Sequence, residues 1–227
     1  MQGNYRILST KDLPASLLES AAQQGFEITV QAFIRIQPVI TTTLKEEICQ
    51  LLQVYKVCVF TSAHAVTSIQ DFAQPARIYC LAGATLEAVK TAFPQAEIVA
   101  TAHDAAALAA KIESSPVLFF CGNQRRDELP DLLAQRSIEL KEVVVYETIA
   151  VEAALNTAFD GVLFFSPSGV HSYFAHNQTG NNTICFAIGN TTAQALKAYT
   201  GNVVVNPDKP SAAQLIQTAI TYFNNHN

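Results

Sequence analysis

Five short segments carry the residue types from which a binding or catalytic site could be built: TSAH from Thr61, AGAT from Ala82, CGNQ from Cys121, FSPSG from Phe165 and IGNTT from Ile188. Each follows an apolar run and reads as a strand-to-helix turn. Ser, Thr and Asn donate hydrogen bonds, Gly lets backbone N–H groups approach a ligand, and the first turn of a helix leaves N–H groups without partners. Such turns suit carboxylates or phosphates. Helix capping alone explains any one of them; five together point to a polar, anion-accepting cleft. Tyr146, closing the VVVY run, is a further candidate, because a phenol at the mouth of such a cleft could donate a proton or a hydrogen bond. A strand tyrosine with a buried ring is the competing explanation.

Other constellations are missing. No GxGxxG opens a βαβ unit and no GxxxxGK[ST] occurs, so dinucleotide redox chemistry and nucleotide hydrolysis lose their fingerprints. His171 and His176 are five apart, which misses the i, i+4 spacing of one helical face, and there is no CxxC or HExxH; a metal is not expected. Ser166 lacks a GxSxG elbow, and Cys121 has no base nearby in sequence, so a buried thiol ending a strand is its ordinary explanation. His64 and His103 fall on expected loops, where exposed histidine is the default.

The turns must be held by strands and helices, and both are legible. Expected strands are YRILST from Tyr5, KVCVFT from Lys56, RIYCLA from Arg77, EIVA from Glu97, PVLFFC from Pro116, GVLFF from Gly161, TICFAI from Thr183 and NVVV from Asn202; expected helices begin near Leu13, Leu44, Thr85, Ala105, Asp127, Thr191 and Ala212. Strands apolar on both faces, alternating with helices, indicate an α/β fold with parallel strands covered on each side. The chain also repeats itself. FTSAHAVTS (Phe60 to Ser68) answers FFSPSGVHS (Phe164 to Ser172), AGAT answers IGNT, and DLPASLL from Asp12 answers ELPDLL from Glu128. Two related lobes follow, each a small, doubly wound parallel sheet of the flavodoxin-like kind. FEITVQAFIRIQPV and IELKEVVVYETIA fit neither helix nor core strand and occupy equivalent places, so they are expected to pair as a two-stranded β ribbon between the lobes. A simple cut near Glu113 is the alternative.

Composition bounds the rest. The chain has 227 residues, 49% of them hydrophobic and 15% charged, enough for a sizeable core in two small domains. With 14 Lys and Arg against 19 Asp and Glu and no basic block, nucleic acid and anionic membrane are not expected as partners. No apolar run approaches the ~18 residues of a membrane span, and MQGNYRILSTKDLP does not read as a secretory signal. Five scattered cysteines, an odd number, suit a reducing cytoplasm.

Six strings, taken in order, resemble the uroporphyrinogen-III synthase family: FTSAHAV (Phe60 to Val66), CGNQRRDELPDLL (Cys121 to Leu133), VVYET (Val144 to Thr148), FFSPSGV (Phe164 to Val170), AIGNTTAQAL (Ala187 to Leu196) and KPSAAQL (Lys209 to Leu215). The first lobe matches less closely, with Lys11 where many members carry a basic residue after the first strand, and with a partial GAT turn at Gly83. The resemblance implies a cytoplasmic, bilobed lyase that closes hydroxymethylbilane, a linear tetrapyrrole, to uroporphyrinogen III with inversion of ring D and loss of water, in haem biosynthesis and without cofactor or metal; the lack of an obvious exposed apolar helix points to a monomer. It implies lobe 1 from residues 1–33 and 149–227 and lobe 2 from residues 34–148. Tyr146 becomes the expected donor to the departing hydroxyl. Ser62, Thr85, Gly122, Asn123, Ser166, Ser168, Gly189, Thr191 and Thr192 become the expected holders of the acidic arms. A non-catalytic, bilobed small-molecule binding protein is the alternative, and a flavin or signalling module is a third class that lacks the acidic cluster expected after the first strand.

Overall fold

The computed structural model describes residues 5–113 and 116–226. In chain order its elements are β1 (Tyr5–Ser9), α1 (Ala15–Ala22), β2 (Phe26–Val30), β3 (Ile34–Pro38), α2 (Thr42–Val54), β4 (Val57–Phe60), α3 (Ala63–Ile69), β5 (Arg77–Leu81), α4 (Ala84–Ala92), β6 (Glu97–Ala102), α5 (Ala105–Lys111), β7 (Val117–Gly122), α6 (Glu128–Gln135) and β8 (Leu140–Ala150). There follow β9 (Gly161–Phe164), α7 (Pro167–His176), β10 (Ile184–Ala187), α8 (Asn190–Leu196), β11 (Val204–Val205) and α9 (Ala212–Asn225). The chain divides into two compact units: one from the chain up to Arg35 together with the chain from Ile149 onward, the other Ile36–Thr148.

The first unit holds a five-stranded sheet in the order β11-β10-β9-β1-β2, with every adjacent pair parallel. Numbered along the chain within that unit, this is 2-1-3-4-5 read from the β2 edge. The second sheet runs β3-β8-β7-β4-β5-β6, and its pairs from β8 to β6 are parallel. Strand β4 shows why these segments are central. All four residues of VCVF are buried; Cys58 and Phe60 enter one apolar cluster, Val57 and Val59 another. A strand whose successive side chains point to opposite faces can do this only when both faces are covered. Strand β9 repeats the arrangement in the first unit, sending Val162 and Phe164 to one cluster and Leu163 to the other. The expected strands all form. Helices α3 and α7 were absent from the expected set, because AHAVTSI is short and PSGVHSYFAH opens with Pro, Ser and Gly and has a weak apolar stripe.

The extended segment after α1 is not one ribbon strand. Its first half, β2, lies parallel to β1 with Tyr5 opposite Phe26 through Ser9 opposite Val30. Between the halves, Phe33 is fully buried in the first unit's core, and its N–H donates to the Thr10 carbonyl at 3.4 Å. Only β3 stands beside β8, and β8 pairs in parallel with β7, so both belong to the edge of the six-stranded sheet. An isolated pair of strands is marginal in water, whereas a sheet edge with a core beneath it is not. Among the described residues, no helix is long and apolar enough to cross a membrane.

Candidate active site

Parallel α/β sheets bind ligands beyond the carboxyl ends of their strands. At that end of the six-stranded sheet lies a cavity of about 400 Å³. Thr61 and Ser62 after β4, Leu81 ending β5, His103 and Asp104 after β6, Cys121 and Gly122 ending β7, Arg125 and Arg126 beyond it, and Tyr146 on β8 all line it. Three of the expected site residues, Ser62, Gly122 and Tyr146, therefore meet in one place.

Each is placed by an identifiable device. Ser62 caps α3, its hydroxyl accepting from the His64 N–H at 3.2 Å, which is the capping role for which Ser is favoured. Tyr146 is half-buried and stands edge-on to the His64 ring, with centroids 5.7 Å apart. The register between β7 and β8 shifts between Cys121 and Gly122, so that Cys121 faces Val144 but Gly122 faces Tyr146. Asn123 follows; its N–H donates to the Tyr146 carbonyl at 3.1 Å and its Oδ1 accepts from the Thr148 N–H at 2.9 Å. It does not line the cavity. Thr85 is buried inside the first turn of α4, away from the cavity wall.

The remaining expected residues belong to the first unit. Ser166 caps α7 by accepting from the Gly169 N–H at 3.0 Å, and Ser168 sits half-buried in the first turn of that helix. Gly189 precedes α8 in extended backbone, Thr191 is exposed, and Thr192 is buried. The two glycines of the repeated AGAT and IGNT turns differ. Gly83 has φ +78°, which disfavours any side chain, whereas Gly189 has φ −176°, which any residue adopts.

The electrostatics of the cavity rest on two arginines passed over in the sequence reading, although consecutive arginines just past a strand-ending turn are a signal for an anion site. Arg125 is engaged: its guanidinium pairs with Glu142, at 3.0 Å for one contact, and with Asp127. Hydrogen bonds first to Glu142 and then to Asp127 raise its pKa above the usual arginine value. Arg126 is exposed, lines the cavity, and has no carboxylate partner among the described residues. Cys121 is buried beside the cavity. Burial, with the Glu142 carboxylate acting in the same direction, pushes its thiol up to about 11, and the thiolate form is what reacts.

The family model described as Uroporphyrinogen-III synthase HemD matches residues 15–217. The chain belongs to the uroporphyrinogen-III synthase family. Its fold is similar to that of uroporphyrinogen-III synthetase from Helicobacter pylori, at TM-score 0.70 and 16% identity, over 96% of this chain and 99% of that one. A mutant uroporphyrinogen III synthase from Thermus thermophilus gives TM-score 0.70 at 14% identity, covering 98% and 100%. The wild-type protein of that organism in another crystal form gives 0.56 at 14% identity, covering 98% and 99%. At such identities the structures speak for the fold; the family assignment rests on the match along the sequence.

Proposed function

We propose that the chain is a cyclising lyase of haem biosynthesis that converts hydroxymethylbilane to uroporphyrinogen III and water, acting as a cytoplasmic monomer. The observation that carries this reading is a family match over residues 15–217 in a chain whose one phenol on β8, Tyr146, lines a cavity at the carboxyl ends of the strands. The 2-1-3-4-5 strand order of the first unit supports a flavodoxin-like first lobe.

The chemistry asks little of the protein beyond a donor and a hold on the chain. The pyrrole nitrogen lone pair expels the hydroxyl of the hydroxymethyl group, the C–O bond breaks, and the proton that completes the departing water comes from the Tyr146 hydroxyl. The carbon left behind bonds to the substituted carbon of the last ring, giving a spiro intermediate. The older bond at that carbon then breaks and re-forms at the free α-carbon on the other side of the ring nitrogen, which inverts ring D. Loss of the final ring proton returns a proton to the phenolate, so nothing is consumed. Closure without inversion competes with this route, and orientation of a flexible substrate is the main means of excluding it.

Orientation comes from the carboxylate arms. In the second unit the hydroxyl of Ser62, the N–H groups near Gly122 and Asn123, and the Arg126 guanidinium are suited to hold them. In the first unit the corresponding groups are Ser166, Ser168, Gly189 and Thr191. The hydroxyls of Thr85 and Thr192 are buried, so their contribution is the N–H of a first helical turn. The test is direct. Hydroxymethylbilane is generated in the presence of the protein, the products are oxidised, and the porphyrin isomers are separated. Type III in excess over the spontaneous type I supports the reading; type I alone, at every enzyme concentration, refutes it.

A further inference from the structure

Gly122 is a glycine required by its neighbour and not by its own backbone. Its φ lies outside the left-handed region that Gly25 and Gly83 occupy, so alanine is allowed there on conformational grounds. Space is the obstacle. A Cβ at position 122 would lie 2.5 Å from both Cε2 and Cζ of Tyr146 and 2.9 Å from its hydroxyl oxygen. These are the tip of the ring, the part that carries the phenol. The cross-strand register is broken at this step, pairing Gly122 with Tyr146. The two following residues hold the backbone at and just beyond Tyr146: Asn123 takes the Tyr146 carbonyl and the Thr148 N–H, and the Gln124 side-chain amide donates to the Thr148 carbonyl at 3.2 Å.

We infer that Gly122 is a positioning residue for Tyr146: the missing side chain is the seat of the phenol, and the Gly-Asn-Gln turn works as a holder of that tyrosine as well as a supplier of N–H groups. The turnover part of this inference rests on the synthase reading; the seat itself does not. A methyl group at 122 meets the free end of a rotatable side chain. The ring can therefore swing aside with little loss of stability, but its hydroxyl then leaves the position from which it donates, and misplacement on that scale is costly to a reacting geometry.

The experiment has two arms. In the first, protein labelled with 3-fluorotyrosine is followed by 19F NMR, with the Tyr146 resonance assigned by its loss in Tyr146→Phe. Gly122→Ala is expected to shift that resonance and leave the resonances of distant tyrosines in place; an unmoved Tyr146 resonance overturns the seat whatever reaction the protein performs. In the second arm, Gly122→Ala is expected to lower kcat about tenfold with KM unchanged, and to lower it less than about twofold when placed on Tyr146→Phe. Equal losses on both backgrounds would show that Gly122 acts independently of the phenol and would overturn the positioning role. Should Gly122→Ala fail to fold, it is placed on Tyr146→Ala: folding there supports the seat, and failure there sinks it. A wild-type protein that forms no type III isomer defeats the synthase reading and leaves the first arm to decide the seat.

Discussion

Leaving β3 aside, the second sheet has the same spatial arrangement of strands as the first with the chain entering at a different strand, yet their equivalent corners are built to opposite ends. Reading β6-β5-β4-β7-β8 against β11-β10-β9-β1-β2 places β7 over β1 and β8 over β2. After β1 the first unit closes its turn on itself. The Thr10 hydroxyl donates to the Leu163 carbonyl at 2.7 Å, the Ser9 hydroxyl donates to the Lys11 carbonyl at 2.6 Å, and both residues are buried. Strands β1 and β2 keep register through Ser9 and Val30, and the Gln31 N–H continues the ladder to Ser9. After β7 the second unit has Gly122, a register shift, a tyrosine tip in the space that the glycine leaves open, and a cavity beside it. One corner satisfies its polar groups internally; the other leaves room and presents them. The difference is a handful of side chains on similar strand arrangements, which is enough to make one corner closed and the other open.

That contrast can be broken at several points. The largest expected effect is on Tyr146→Phe. Removing one phenolic donor while the pyrrole nitrogen still supplies the push should lower turnover about a hundredfold without abolishing it, and a rate equal to wild type in a stopped assay would take Tyr146 out of the chemistry.

Next comes alkaline sensitivity. Burial pushes the thiols of Cys58, Cys80 and Cys121 in the second unit up to about 12, 11 and 11, and that of Cys185 in the first unit up to about 12. Unfolded thiols lose their protons near pH 8.5 to 9, by the ordinary cysteine value of about 8.5. Above that the unfolded state binds fewer protons than the folded state, so the contribution to stability is full below about pH 9 and falls as pH rises towards 11. Three such groups against one predict that the second unit opens first. Pulsed alkylation between about pH 9.5 and 10.5, read by mass spectrometry, should mark Cys58, Cys80 and Cys121 ahead of Cys185; the reverse order would refute it. Exposed Cys49 is marked at any of these pH values.

The smallest effect sharpens the comparison from the closed corner. Thr10→Val removes a buried hydroxyl that donates to Leu163 and should cost about 1 kcal/mol in chemical denaturation, with turnover unchanged. A fall in turnover matching that of Tyr146→Phe would mean that the first unit's corner takes part in the reaction after all.

Much of this was legible from the residues. The all-apolar runs VCVF and GVLF named two central strands, because only a strand covered on both faces can be apolar at every position. The Ser-bearing turns named the caps of α3 and α7, even though the helices they open were too short or too weakly amphipathic to be recognised by period. The repeat of three motifs led to the expectation of two parallel sheets, and two sheets built mainly of parallel pairs are present. What could not be read was the break of the long extended segment at Phe33, since a β-branched, alternating run looks the same whether it serves one sheet or two. Nor could the pairing of Arg125 with Glu142 and Asp127, which separates it from its neighbour Arg126: Glu142 is 17 positions away along the chain.

The amino-acid sequence by itself determined the central strands, most of the helices and the family, because periodicity, turn chemistry and ordered motifs are local properties of the chain. The tertiary structure alone decided which glycine faces which tyrosine. Register across a parallel ladder depends on two strands that meet only after folding, and a shift of one residue changes what every side chain beyond it can reach.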